Sequence, residues 1–181
     1  QEKLTLFWHD HFSVSGEKVA EGLTMLGYLQ TLRAGANGNF RSLLGAVSKS
    51  PAMIFYLDTH TSTREHPNEN FAREVMELFT LGQGHYTEKD IREAARAFTG
   101  WTLFYAGLGN EKPFDNLVQE MALAKRSVFE YAWVPGIHDS GEKSLLGKKG
   151  AFEGDQVLDL LCEQPQTAVY VASRLADWFA G

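Results

Sequence analysis

The sequence predicts an all-α fold of antiparallel helix pairs, with one small β-hairpin near residues 127–147. Three observations predict it. Apolar residues recur every three to four positions over most of the chain, which lines one face of a helix. Capping and breaking residues stand where those periods start and stop. Ser127 to Val134 and Lys143 to Leu146 instead lean toward strand, on either side of the turn-rich stretch Pro135 to Glu142.

The elements follow in order. Leu4, Phe7, Trp8, His11 and Phe12 share one face of a helix over residues 3–14, which Ser13, Ser15 and Gly16 end. Leu23, Leu26 and Leu29 place a helix over 19–33, and Gly35, Asn37, Gly38 and Asn39 mark a turn. Phe40, Leu43, Leu44 and Val47 stripe a helix over 39–49. Pro51 suits the first turn of a short helix with Met53, Ile54 and Leu57, because the N–H it lacks would be unpaired there anyway. Residues 58–67 read as a polar loop.

The two clearest helices come next. Phe71, Val75, Leu78 and Phe79 share a face over 68–81, and Gly82 can end that helix in the left-handed conformation. Thr87 and Asp90 make a capping box for residues 88–99, whose stripe is Ile91, Ala94, Ala95 and Phe98. The short linker between them predicts an antiparallel pair. Residues 101–112 are aromatic and Gly-rich without a period, and 114–124 reads as a helix. Residues 153–162 and 165–179 close the chain as two helices, the second opened by Pro165.

The 181 residues fit one domain, and 44% hydrophobic with 22% charged residues exclude global disorder. A net charge of −6 argues against nucleic acid, because phosphate neutralisation dominates that affinity. Lys89, Arg92 and Arg96 stripe one helix, but Glu88, Asp90 and Glu93 interleave with them. No stretch has the length of a membrane span, and no signal peptide is visible. The single Cys162 excludes an intrachain disulfide and reads as a buried thiol. The start at Gln1 and the apolar close Trp178-Phe179-Ala180-Gly181 predict a fragment of a longer protein, cut at both ends.

Four polar residues stand out. Asn70, Arg73, Glu74 and Glu77 make one polar stripe beside an apolar face. Two carboxylates one helical turn apart can share a metal, or divide acid and base work if their environments differ. The structural alternative is a solvated face with Arg73 and Glu77 as an i,i+4 pair. His9 and His11 cannot clasp one ion on a helix, since residues two apart point about 200° apart. His11 falls on the apolar face, as a hydrogen-bonded core histidine or as a group meeting Glu74 or Glu77. Asp139 and Gly141 are explained by turn chemistry, whereas His138 is not. It is either a surface histidine or an acid–base group or ligand. Ser140 and Lys143, like Ser15 and Lys18, match Ser-x-x-Lys, but the companion motifs of serine acyl enzymes are missing.

Three blocks carry a family resemblance. They are Leu6-Phe7-Trp8-His9-Asp10-His11-Phe12, Pro67 to Glu74 with Met76 to Gly82, and His85-Tyr86-Thr87 with Asp90 to Trp101. His138-Asp139-Ser140-Gly141 and Leu145-Leu146-Gly147 extend them. Together they resemble the middle portion of the DUF1800 family, whose function is unknown. The resemblance implies a bacterial, exported protein, longer at both ends, with a DUF1501-family protein as partner.

Two function classes follow as expectations. The first is an exported binding or assembly protein that works with a partner protein or an envelope polysaccharide. The aromatic residues in 101–105 and 129–133 are compatible with it. The second is a metal-dependent hydrolase. Glu74, Glu77 and His138 would be catalytic there, and His11, Glu74 and Glu77 would hold a divalent metal.

Overall fold

The apolar stripes become helices at nearly every expected position in the computed structural model, which describes residues 1–105 and 127–180. Helices α1 (Glu2–His11), α2 (Gly16–Val19), α3 (Gly22–Gly35), α4 (Phe40–Ser48) and α5 (Pro51–Tyr56) form the first half. Helices α6 (Glu69–Glu74) and α7 (Glu88–Phe98) pack together across a short connection. Helices α8 (Gly154–Glu163) and α9 (Pro165–Ala180) close the chain. The helix expected over 19–33 is α3, and the short α2 precedes it, with Ala20 in the left-handed region between them. The helix expected at 114–124 lies outside the described residues. Among the described residues no helix is long and apolar enough to cross a membrane.

One continuous core holds these elements. Phe7 of α1 and Phe12 just after it, Leu44 of α4, Met53 of α5, Phe71 of α6, Ile91 and Phe98 of α7 and Leu158 of α8 are all buried in it. Local signals place the ends. Thr87 and Asp90 form the predicted capping box, Pro51 and Pro165 open their helices, and Gly82 turns at φ +78°. Cys162 is half-buried, and burial pushes its thiol up to about 11.

The helix expected over 68–81 does form, but it changes character midway. After α6 the backbone continues as a π-helical turn over Val75–Thr80. The Leu81 N–H donates to Met76 O at 2.8 Å, and the Thr80 hydroxyl donates to Val75 O at 2.6 Å. The last carbonyls here find partners on other helices. Tyr170 and Gln166 of α9 donate to Leu78 O and Leu81 O, at 3.1 and 3.2 Å. His11 of α1 bonds Phe79 O at 3.0 Å.

The hairpin differs from the expected pairing. Strand β1 (Trp101–Tyr105) pairs antiparallel with β2 (Phe129–Trp133), matching Trp101 to Trp133, Leu103 to Tyr131 and Tyr105 to Phe129. Strand β3 (Lys143–Leu145) pairs with β4 (Lys148–Gly150). The 127–134 and 143–146 segments therefore do not pair with each other. The cause is local for β3 and tertiary for β2. Leu146 and Gly147 both have positive φ, at 49° and 78°, as a two-residue I′ turn requires, so β3 folds back at once. The 135–142 stretch keeps its turn at Asp139, whose Oδ1 accepts the Gly141 N–H at 2.9 Å, but it is tied to α7 instead of joining two paired strands. Arg96 donates to both oxygens of Asp139, at 2.7 and 3.2 Å, and to Glu142 O at 3.1 Å. The Lys143 ammonium, buried, donates to Asp139 O and Gly141 O.

Candidate binding groove and the polar residues around the core

Glu74 and Glu77 stay close, as their one-turn spacing demands, and both are half-buried. Burial raises the Glu74 carboxyl above its usual range, and the neighbouring Glu77 charge adds to that. Glu77 accepts the Tyr86 hydroxyl at 2.5 Å. That carboxylate and burial push the Tyr86 phenol up to about 12, burial contributing most. Arg73 does not pair with Glu77. It reaches Glu88 at 2.9 Å and Glu69 at 3.4 Å. The i,i+4 alternative is thus replaced by a pairing to α7 that spacing along one helix cannot show.

His11 is in the core, 3% exposed, and meets neither glutamate. A carbonyl only accepts, so the bond to Phe79 O places the ring proton on Nε2. Nδ1 is left buried with no hydrogen-bond partner. Phe7, Trp8, Phe12, Phe40, Phe79 and Tyr170 surround the ring. Burial drives its pKa down to about 4, against the bond to Phe79. The charges that act on it are Arg174 and Asp10.

His138 is also buried, which removes the surface alternative. Its Nδ1 lies 2.8 Å from Thr99 O, so Nδ1 carries the proton and Nε2 is the acceptor. The Thr99 hydroxyl donates to Arg96 O and accepts from the Asp139 N–H. His138 therefore helps bind the 135–142 stretch to the end of α7. The four expected site residues occupy three places: the Glu74–Glu77 pair, the His11 core and the His138 anchor. Among the described residues no group of three His, Cys, Asp or Glu side chains gathers as a metal-ligand set.

The groove that residue spacing missed runs along the β1–β2 ribbon. Alternation puts Trp101, Leu103 and Tyr105 on one face, opposite Trp133, Tyr131 and Phe129. A hollow of about 370 Å³ lies between this ribbon and the helices α3, α4 and α5. Gln30, Thr31, Ser50, Lys49, Glu130 and Tyr131 are among its walls. A second hollow of about 160 Å³ adjoins it, sharing Tyr131, and is lined by Trp101, Trp133, Glu153, Gly154 and Asp155. Trp101 is buried against Phe71 and Phe98 and forms the floor, while Trp133 is 41% exposed.

Lys49 lines the larger hollow and reaches three residues of the smaller one. Its ammonium is 5.4 Å from the Trp101 ring centre and 5.3 Å from that of Tyr131, and it pairs with Asp155 at 2.6 Å. Arg41 holds Asp155 and Asp159 from the far side, at 3.5 and 2.6 Å. Burial pushes the Tyr131 phenol up to about 12, helped by Asp155 and Glu153. The aromatic runs at 101–105 and 129–133 were the sequence signal for this site. Lys49 and Asp155 carried none, because only folding brings α4 and α8 to the ribbon.

Fold and groove define a mainly helical protein in which an aromatic β-ribbon walls a polar cleft. The chain belongs to the DUF1800 family, described as protein of unknown function, which it matches over residues 1–181. No curated protein and no solved structure matches it.

Proposed function

We propose that this protein is an exported bacterial binding protein whose β-ribbon groove holds a segment of envelope polysaccharide. The observation that carries the reading is the pair of adjoining hollows sharing Tyr131, walled by aromatic rings and by hydroxyl, amide and carboxylate groups. Sugar rings have apolar faces and a rim of hydroxyls. Such a ligand stacks on rings such as Trp133 while the rim bonds Gln30, Thr31 and Glu153. Binding sites of this kind combine apolar walls with a few placed polar groups. Export and a DUF1501-family partner rest on the family resemblance, and fractionation of cells making the complete protein tests the first.

Trp133 should be the main contact. Trp133→Ala should weaken binding by about tenfold or more, as loss of a central aromatic anchor does. Stability should fall by about 1–2 kcal/mol, because the ring is 41% exposed and its covered part packs beside His138. Retention on insoluble bacterial cell-wall polysaccharide, followed by calorimetry with released fragments, measures the binding, and thermal melting measures the stability. Equal retention of the variant, or none of the parent protein, would defeat the reading.

The hydrolase reading is favoured by one observation, the half-buried Glu74 and Glu77 side chains one helical turn apart, where burial raises the first carboxyl. It divides acid and base work between the two carboxylates, with a divalent metal as their cofactor. Elemental analysis tests the metal. Stoichiometric metal in the parent, lost in Glu74→Ala and Glu77→Ala, is the expected result of this reading. Metal-free parent protein that folds normally after divalent ions are supplied, and retains none of them, removes it.

A further inference from the structure

We propose that the smaller hollow is a cage for an organic ammonium group, and that the polysaccharide unit it selects is an amino sugar with a free amine. The inference rests on the polysaccharide reading above and names the chemistry of the bound unit.

Three features meet in one place. Trp101, Tyr131 and Trp133 wall the hollow, and the faces of aromatic rings carry negative charge that attracts a cation. Glu153 and Asp155 complete the lining. A cation already occupies the edge of this environment. The Lys49 ammonium lies 5.4 and 5.3 Å from the Trp101 and Tyr131 ring centres, within cation–π range of both. The rings are thus oriented to receive positive charge.

The charge balance leaves room for a second cation. Glu153 and Asp155 are the carboxylates that line the smaller hollow; Lys49 pairs with Asp155, and Glu153 enters none of the ion pairs among the described residues. Arg41 touches Asp155 from outside and is shared with Asp159. The volume of about 160 Å³ equals that of about five water molecules at about 30 Å³ each, enough for an ammonium group and the carbons beside it. Lys49 is the local competitor. It covers two ring faces and repels an incoming ammonium, so its removal strengthens binding. A site for an acidic or neutral sugar behaves in the opposite way, because Lys49 is then its donor.

The test is calorimetry on the full chain with three probes. They are a glucosamine tetramer with free amines, its fully N-acetylated counterpart and choline, all at one pH at which the free amines are protonated. The free-amine tetramer should bind at least about tenfold more tightly than the acetylated one, the scale of one desolvated cation–π contact. Its affinity should fall as salt rises. Glu153→Gln, which keeps a side-chain acceptor at the start of α8, should weaken it by about tenfold. Lys49→Met should strengthen it several-fold, with thermal melts confirming that both variants fold. Equal affinity for both tetramers, or weakening by Lys49→Met, overturns the ammonium cage and leaves the polysaccharide reading standing. Choline binding without either tetramer overturns the amino-sugar assignment. No binding of any probe by folded protein, together with no retention on cell-wall polysaccharide, overturns both.

Discussion

Lowering the pH from 6.5 to 4 should cost the folded protein about 3 kcal/mol through one side chain, His11. Its pKa falls from 6.5 in an open chain to about 4 in the fold, chiefly through burial. The sign follows from proton counting. Below 6.5 the unfolded chain binds a proton that the folded one refuses, so unfolding is favoured progressively. The contribution is complete above 6.5 and lost as the pH falls through 4. Carboxylates held low by their partners, such as Asp139 beside Arg96, lose their contribution at lower pH, below the usual aspartate range. Urea unfolding at a series of pH values separates the two windows. His11→Gln keeps a donor for Phe79 O and does not titrate, so its stability should be nearly flat between pH 6.5 and 4.5. An equally steep loss in that variant would place the proton elsewhere. His11→Ala should cost several kcal/mol at pH 7, since it opens a cavity among aromatic rings and strands a π-turn carbonyl.

Gly154→Ala should destabilise the fold by about 1–3 kcal/mol and weaken the groove together. Gly154 opens α8 directly against the groove floor. A methyl group there would lie 2.4 Å from Trp101 Cζ2 and 2.9 Å from Phe98 Cδ1. Both rings are buried and cannot swing aside. Alanine favours helix over glycine by about 1 kcal/mol, so a purely local effect would have the opposite sign. Thermal melting decides between them, a loss of about 2–4 °C per kcal/mol being expected for a chain of this size. An unchanged or higher melting temperature would mean that Trp101 yields freely. The same displacement should lower affinity at the smaller hollow, whose floor that ring forms.

Different parts of the molecule were legible in the sequence to different degrees. The capping box at Thr87 and Asp90 uses residues three apart, so spacing alone revealed it. Gly82, Pro51 and Pro165 are similar, because each acts on its own backbone. The π turn over Val75–Thr80 was hidden, since its apolar spacing also fits an α-helix. Its carbonyls are satisfied from α1 and α9, far off in the chain. Strand β2 was visible as a strand, but its partner was not. Both 101–105 and 143–146 can pair, and the hold of Arg96 on Asp139 decides the outcome.

The candidate residues divide along the same line. Glu74 and Glu77 were adjacent by helical periodicity, and they remain so. His11 and His138 were candidates because imidazole is chemically able, and residue type cannot say which atom a ring faces. The structure turns one toward Phe79 O and the other toward Thr99 O.

By itself the sequence determined helix periods, caps, the strand-forming runs and the aromatic supply of residues 101–105 and 129–133, because these depend on neighbours within about one turn. Tertiary structure alone decided that Lys49, Tyr131 and Asp155 meet, which strands pair and which ring nitrogen holds a proton. Those outcomes depend on burial and on contacts between distant segments. Desolvation and the geometry of a particular acceptor set them, and neither exists until the chain has folded.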